Sequence, residues 1–263
     1  ILRCLVGSEM CIRDSFGPNS MMWKVNKEIT VLFGGARALL MHAAHPLIAA
    51  GARQTSFYQR DPWKRLIRTL SLQNSVTFGT IEEANDSATR INRLHEVIKG
   101  KDEVTGGYYD ALDHEQLLWV HACLQISSIY FYEKTVRKLT DDEKNQYHDE
   151  NMVSAKLVLI DIDKTPKTHE ELKRWVMEKS RDKNYLRLTD VAKDVQDIIS
   201  GGPVPKHIKP IWPFISFTAF NTLPDEFKKL YGVKSSKFKS LLLGFNLYLL
   251  KFTRPLLPPC FRL

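Results

Sequence analysis

A single histidine stands in the apolar stripe of an otherwise regular amphipathic segment. Ala84, Ala88, Ile91, His95 and Ile98 recur at steps of three and four residues, which places them on one face of a helix. A histidine on such a face is either a core residue with a hydrogen-bond partner or a metal ligand in a dry pocket, and the core role is the commoner one. The role of His95 therefore depends on its neighbours.

Basic and hydroxyl side chains share one face of the segment upstream. In DPWKRLIRTLSLQ, Arg65, Arg68 and Thr69 fall at i, i+3 and i+4, so one helical face carries two guanidinium groups and a hydroxyl. Such a face is most often solvated. Beside a bound metal, arginine can instead stabilise bound oxygen by charge-assisted hydrogen bonds, and threonine can add one hydrogen bond to the same oxygen.

Residues typical of helix starts and ends delimit both segments. Pro62 fits the first turn of the upstream helix, whereas Thr80 and Glu83 form a capping box for the histidine helix. Gly100 predicts a glycine stop, so the histidine helix is expected to run to residue 99.

Helical periodicity continues along nearly the whole chain, so the predicted fold class is all-α. Gly34 and Gly35 are expected to break the first apolar stretch, and GGPVPKHIKP to form a long irregular connection. The one strand-like run, residues 157–162, fits the end of a helix at least as well. The predicted helices are 23–32, 36–53, 62–73, 81–99, 114–139, 141–160, 169–181, 189–199, 223–231 and 236–252.

Several ordered blocks resemble the family that contains the rubber oxygenase (latex clearing protein) and the membrane-bound oxygenase of mycophenolic acid biosynthesis. Between Phe16 and Gly100 these blocks are FGPNS, GGARALLMHAAHPLIAAGA, SFYQRDPWKRLIRT, FGT and RINRLHEVIKG. YYDALDHEQLLWVHACL, KTPKTHEELKRWV and LPDEFKKLYG follow in the expected order, so the resemblance extends to the region around Gly232.

The resemblance implies a globin-like helical core that holds haem b, in a single domain over residues 16–263. In this family a histidine in the block matching RINRLHEV is the proximal iron ligand, and that position is His95. The block matching RLIRT lines the distal side, which implies this role for Arg65, Arg68 and Thr69. Arg68 stands where rubber oxygenases carry lysine, and Arg65 could instead anchor a haem propionate.

Three functions follow in order of preference. The first is a haem-dependent oxygenase that uses dioxygen on an apolar, unsaturated small molecule, with His95 on the iron and Arg65 and Thr69 steering oxygen. The second is a non-catalytic haem- or lipid-binding protein of the same fold at a membrane. The third is a metal-dependent enzyme built on the segment HAAHP, whose His42 and His45 lie at i and i+3 without a nearby carboxylate.

Further positions bear on the site. His121, on the apolar helix LLWVHACLQI, is a rival axial ligand, although it could instead hydrogen-bond within the core. His45 precedes Pro46, which predicts a kink and favours a structural or pocket-lining role. Tyr108 and Tyr109 could line a substrate cavity, but core packing is the commoner role.

Composition describes a globular protein with a basic end. The 263 residues are 43% hydrophobic and 26% charged, which suits one large domain. From Lys206 onward Asp225 and Glu226 are the only acids, so much of the net charge of +8 lies late. This charge favours an anionic partner. Nucleic acid is not expected because the chain lacks the usual signatures, so a peripheral membrane contact is preferred.

The segment KSSKFKSLLLGFNLYLLKFTRPLLPP could make that contact. Its apolar run, residues 241–250, is flanked by lysine and arginine and is shorter than the roughly 20 residues needed to span a bilayer. It is expected either to lie in a membrane interface or to close the core, and burial is the commoner outcome. The expected location is cytoplasmic or peripheral to a membrane.

The first fifteen residues read as foreign. LVGSEMCIRDS is what a library-preparation adapter encodes when read in frame, so residues 1–15 are expected to be an artefact and the native start to be missing. Cys4 and Cys11 fall in this segment. Cys123 and Cys260 alone make no disulfide framework, zinc site or c-type haem attachment, so any haem is expected to be held without a covalent bond.

Overall fold

The computed structural model of the protein describes residues 16–55 and 61–256, the side chain of Arg65 excepted. The predicted foreign segment, residues 1–15, lies outside this range. The described residues form an all-α structure, as predicted, with one short antiparallel pair of strands, β1 (Lys99–Lys101) and β2 (Tyr108–Asp110). The helices are α1 (Met21–Asn26), α2 (Phe33–Ala43), α3 (Pro46–Thr55), α4 (Pro62–Phe78), α5 (Ile81–Glu96), α6 (His114–Thr135), α7 (Asp141–Leu157), α8 (His169–Arg181), α9 (Asp190–Gly201), α10 (Trp212–Asn221), α11 (Asp225–Leu230) and α12 (Lys237–Thr253).

Helix α6 forms the centre of the fold. It is apolar on nearly every side, and helices α1, α2, α7, α8 and α12 pack around it. Trp119 and Phe131 on this helix are fully buried. Asp113 begins the helix by accepting a hydrogen bond from the backbone N–H of Gln116 at 3.0 Å.

The predicted break at Gly34 and Gly35 is wrong, because both residues lie inside α2. A Cβ atom on Gly34 would meet the backbone oxygen of Ser127 at 3.1 Å, whereas one on Gly35 would meet nothing within 4 Å. Gly34 therefore allows the backbone of α2 to approach α6 closely, and here glycine serves packing rather than termination.

The kink predicted before Pro46 is confirmed. Helix α2 ends at Ala43 and α3 begins at Pro46. A 3₁₀ helix, Ile29–Leu32, leads into α2, and the chain bends by 102° between this combined segment, Ile29–Ala43, and α3. Among the described residues, no single helix is long and apolar enough to cross a membrane. Within residues 16–55 and 61–256, one bent pair, Ile29–Ala43 with Pro46–Thr55, passes by length and composition when its two parts are taken together.

Helices α4 and α5 form a hairpin joined by Gly79 and Thr80. The predicted capping box is present: the Thr80 N–H donates to Glu83 Oε2 at 2.8 Å, and the Glu83 N–H donates to Thr80 Oγ1 at 3.1 Å. Val76 and Ala84 attach the hairpin to the core. At its far end the Trp63 indole N–H donates to the carbonyl of Pro203.

The predicted glycine stop at Gly100 is wrong. Helix α5 ends at Glu96, and Gly100 lies in β1 opposite Tyr109. A Cβ atom on Gly100 would meet the Tyr109 hydroxyl at 2.8 Å, so glycine is needed there to admit the tyrosine ring. Tyr109 therefore packs within the strand pair, whereas Tyr108 is 62% exposed.

Helix α10 has no counterpart among the predicted helices. Its sequence, WPFISFTAFN, is apolar on all sides and rich in aromatic residues, so it shows no helical period. It forms because α2, α9 and α12 pack on its different sides. Tertiary packing rather than local pattern therefore determines this element.

Candidate functional site

His95 lies in the last turn of α5 with its ring partly buried. Its Nδ1 is buried and has no hydrogen-bond partner among the described residues. Burial lowers the pKa of His95, so the ring is neutral near pH 7. A buried polar atom without a partner is rare in folded proteins. A neutral imidazole with such an atom is the form of histidine that binds a metal.

The inner face of α5 is the one that the spacing predicted. On the helix Ala84 and Ala88 are buried, while Ile91 and His95 are half-buried; Ile98, just beyond the end of the helix, is buried as well. The whole stripe therefore turns toward the protein, and His95 is its most polar member.

Asn92 was missed by the sequence analysis, although it lies four residues after Ala88 and three before His95. Its Nδ2 donates to the carbonyl of Leu157 at 2.9 Å, which holds α5 against α7. Its Oδ1 is buried and has no partner within the described part of the chain. One turn of α5 thus carries an unused acceptor on Asn92 and an unused nitrogen on His95.

The hairpin relates His95 to the predicted distal residues. His95 lies 14 residues after the start of α5, and Arg65 lies 13 residues before the end of α4. At about 1.5 Å per residue, both lie about 20 Å from the turn, so we expect them at the same level of an antiparallel pair. Arg68 and Thr69 lie about one turn nearer the connection.

Arg68 and Thr69 are both exposed on α4. Large apolar side chains beside them and beside His95 are exposed as well: Leu66 is 40%, Ile67 is 61%, Leu94 is 54% and Val97 is 65% exposed. This part of the hairpin surface therefore combines an exposed guanidinium group, an exposed hydroxyl and exposed apolar side chains. This is the composition expected of a surface that contacts a large apolar ligand with charged edges.

His121 on α6 shares the main features of His95. Its Nε2 is buried without a partner in the described structure, and burial lowers its pKa to about 4, with a further contribution from His148. His148 itself uses both ring nitrogens, with Gln125 Nε2 and the Pro166 carbonyl each 3.0 Å away. His121 therefore stays a rival to His95 as axial ligand.

The two histidines of HAAHP make structural contacts. His42 Nε2 lies 2.9 Å from the carbonyl oxygen of Val120, and the His45 ring packs edge-on to Tyr185 with centroids 4.6 Å apart. Across residues 16–55 and 61–256, no group of three or more His, Cys, Asp and Glu side chains is arranged to hold a metal ion. The hypothesis of a metal-dependent enzyme on this segment thus gains no support.

One cleft of about 330 Å³ lies at the end of α8, next to α11. Charged residues, including Arg181 and Glu226, dominate its lining. It contains none of the predicted site residues, and it offers no apolar enclosure for a haem or an alkene.

A known protein family covers nearly the whole of this structure. The family model described as "ER-bound oxygenase mpaB/B'/Rubber oxygenase, catalytic domain" matches residues 23–254. The chain belongs to this family. No curated protein and no solved structure matches the chain significantly. The matched range contains α4, α5 and α6 of this oxygenase-family domain, and with them every predicted site residue.

Proposed function

We propose that this protein is a haem b-dependent oxygenase that uses dioxygen to oxidise an apolar, unsaturated small molecule. The observation that carries the proposal is the buried Nδ1 of His95, which has no partner among the described residues and belongs to a ring that burial keeps neutral. Membership of an oxygenase family supports the reaction class. The resemblance of RINRLHEV to the haem-ligating block of rubber oxygenases supports the cofactor.

His95 would hold the haem iron. A ligating imidazole uses one ring nitrogen for the metal and needs an acceptor for the other, which fixes the orientation of the ring. Asn92 Oδ1, one turn earlier on the same face, is a suitable acceptor because it is buried and unused within the described chain. When bound, haem would supply the oxidising chemistry, which no side chain can provide.

Residues of α4 would bind and stabilise oxygen atoms of the reactants. Arg65 and Arg68 would provide guanidinium donors, and Thr69 a hydroxyl, for negative charge that develops on oxygen. The exposed Leu66 and Ile67 on the same helix would exclude water and contact an apolar substrate. The contribution of α4 would thus be a set of hydrogen-bond donors next to apolar surface.

The test is oxygen-dependent turnover by the haem-loaded full chain. We expect oxygen consumption and an oxidised product with apolar alkenes, and neither with the saturated analogues. Arg65→Ala should keep haem and lose turnover by about 10²-fold or more, as expected for loss of a charge-stabilising donor. Lys64→Ala, an exposed neighbour on α4, is the matched control and should retain turnover.

Two results would contradict this assignment. Loss of haem from the Arg65→Ala protein would make Arg65 an anchor for a haem propionate rather than a distal donor. A haem-loaded wild-type protein that consumes no oxygen with any alkene would favour the non-catalytic haem-binding alternative.

A further inference from the structure

Helix α12 presents an apolar face to solvent. Its inner residues Asn246, Leu247 and Leu250 are buried against the rest of the fold, where α12 packs on α6 and α10. The opposite face carries five large side chains at steps of three and four residues: Phe238 (73% exposed), Leu241 (74%), Phe245 (60%), Tyr248 (64%) and Phe252 (60%). We call these five residues the outer stripe. A surface helix normally places polar residues there.

The orientation of α12 is fixed by bonds to the rest of the fold. Asn246 Nδ2 donates to Thr218 Oγ1 at 3.3 Å on the inner side. Just beyond the helix, Arg254 donates two hydrogen bonds of 2.5 Å to the buried carboxylate of Glu28. Because both contacts hold the inner side inward, the outer stripe cannot turn into the core.

The net basic charge of the chain lies in the sequence from residue 206 onward, which includes α12. From Lys206 to the last residue there are ten Lys and Arg but only two acids, so the remainder of the chain has equal numbers of basic and acidic residues. Lys237 and Lys251 are exposed along one edge of the outer stripe, at i−4 from Leu241 and i+3 from Tyr248. Apolar side chains bordered by lysine are typical of helices that lie in a membrane interface.

We propose that α12 docks this protein on an anionic lipid surface. The five residues of the outer stripe enter the boundary between headgroups and acyl chains, and the bordering lysines contact anionic headgroups. The stripe covers 14 residue steps, about 21 Å, so it lies along the surface rather than across the bilayer.

Charge favours lipid over a second copy of the chain as the occupant. A symmetric dimer through the outer stripe would bring two identical basic faces together, and these would repel each other. An anionic membrane offers acyl chains to the apolar stripe and negatively charged headgroups to the lysines. The inference does not depend on haem, because docking can be measured without turnover.

The experiment is flotation of the full chain with phosphatidylcholine vesicles, with and without phosphatidylserine. We expect binding only when phosphatidylserine is present, and loss of binding at high salt. The triple variant Phe238→Ser, Phe245→Ser and Phe252→Ser should bind at least tenfold more weakly. A matched control, Ile81→Ser with Val153→Ser, alters two exposed apolar residues elsewhere and should bind like wild type.

A second pair of variants tests the charges. The double variant Lys237→Glu with Lys251→Glu should abolish flotation. The control is Lys173→Glu with Lys193→Glu on α8 and α9, which changes the net charge by the same amount and should still float. Equal binding to neutral vesicles, or no binding to either kind, would overturn the proposal. So would light scattering that shows a wild-type dimer and a monomeric triple-serine variant, because the outer stripe would then join two copies.

Discussion

At the scale of single residues, the proposed haem site rests on two neighbours on α5, each with a buried polar atom that has no partner among the described residues. Asn92 offers an acceptor and His95 a ring nitrogen, both buried. The spacing of the apolar stripe was sufficient to predict that His95 faces inward. It could not predict the contact of Asn92, because that contact is with the Leu157 carbonyl, 65 residues away in the chain.

We predict that Asn92→Leu weakens haem binding by about 10-fold to 100-fold, the usual effect of removing a group that orients a metal-bound histidine. The variant also loses the hydrogen bond from Asn92 to the Leu157 carbonyl, so circular dichroism should first show that the helical fold persists. Haem titration followed by the Soret band then measures haem binding. Asn85→Leu, an exposed asparagine on the same helix, is the control. Equal haem affinity in Asn92→Leu and wild type would show that Asn92 does not orient His95.

At the scale of elements, the sequence predicts features that depend on local residues and does not predict close contacts between elements. Helix starts such as the Thr80 capping box are local, so residue types alone identify them. Gly34 and Gly100 both have the local pattern of a break, but each admits a group from a neighbouring element: Ser127 of α6 at Gly34, and Tyr109 of β2 at Gly100. A glycine that serves packing has the same local signature as one that ends a helix.

The adjacent glycines of α2 provide a matched test of that interpretation. Gly35→Ala should raise the free energy of unfolding by about 0.5–1 kcal/mol, because alanine favours helix and meets no other atom. Gly34→Ala should lower it, because the added Cβ meets the backbone of Ser127 in the central helix at 3.1 Å. Urea unfolding of both variants measures the difference. Equal stabilisation by both would show that α2 and α6 do not pack this closely.

At the scale of the whole molecule, helical periodicity predicted the all-α class. The distribution of charge showed that the C-terminal part of the chain is basic. The outer stripe of α12 could not be predicted, because LLLGFNLYLL is apolar on both faces. Its pattern does not distinguish the buried side of the helix from the exposed side. For the same reason α10 was missed. Runs that are apolar all round identify a hydrophobic element but not its neighbours.

Buried histidines in separate parts of the fold, His45 between α2 and α3 and His169 at the start of α8, make the stability of the whole fold depend on pH. Burial lowers the pKa of His45 and of His169 to about 4, below the usual 6.5. The unfolded chain therefore binds more protons between these values, so their contribution is complete above pH 6.5 and is lost as the pH falls toward 4. Each accounts for on the order of 3 kcal/mol. Nearby groups modify these pKa values: Glu115, Asp113 and Lys179 at His45, and His148, Glu170, Lys173 and Lys144 at His169.

Urea unfolding at about pH 7 and about pH 5 measures this effect. We expect the urea concentration at the midpoint of unfolding to be lower at about pH 5 than at about pH 7 for the wild-type protein. The decrease should be smaller for the double variant His45→Gln with His169→Gln. An equally steep pH profile in the double variant would assign the acid sensitivity to other groups.

The most direct test of the central claim is the absorption spectrum of the full chain, and of its His95→Ala and His121→Ala variants, after expression with haem supplied. We predict a Soret band in the wild-type protein that shifts on dithionite reduction. The band should persist in His121→Ala and be lost from His95→Ala while circular dichroism still shows a helical fold. An unchanged spectrum in His95→Ala, with loss in His121→Ala, would move the axial ligand to α6. A folded wild-type protein that takes up no haem would contradict the account.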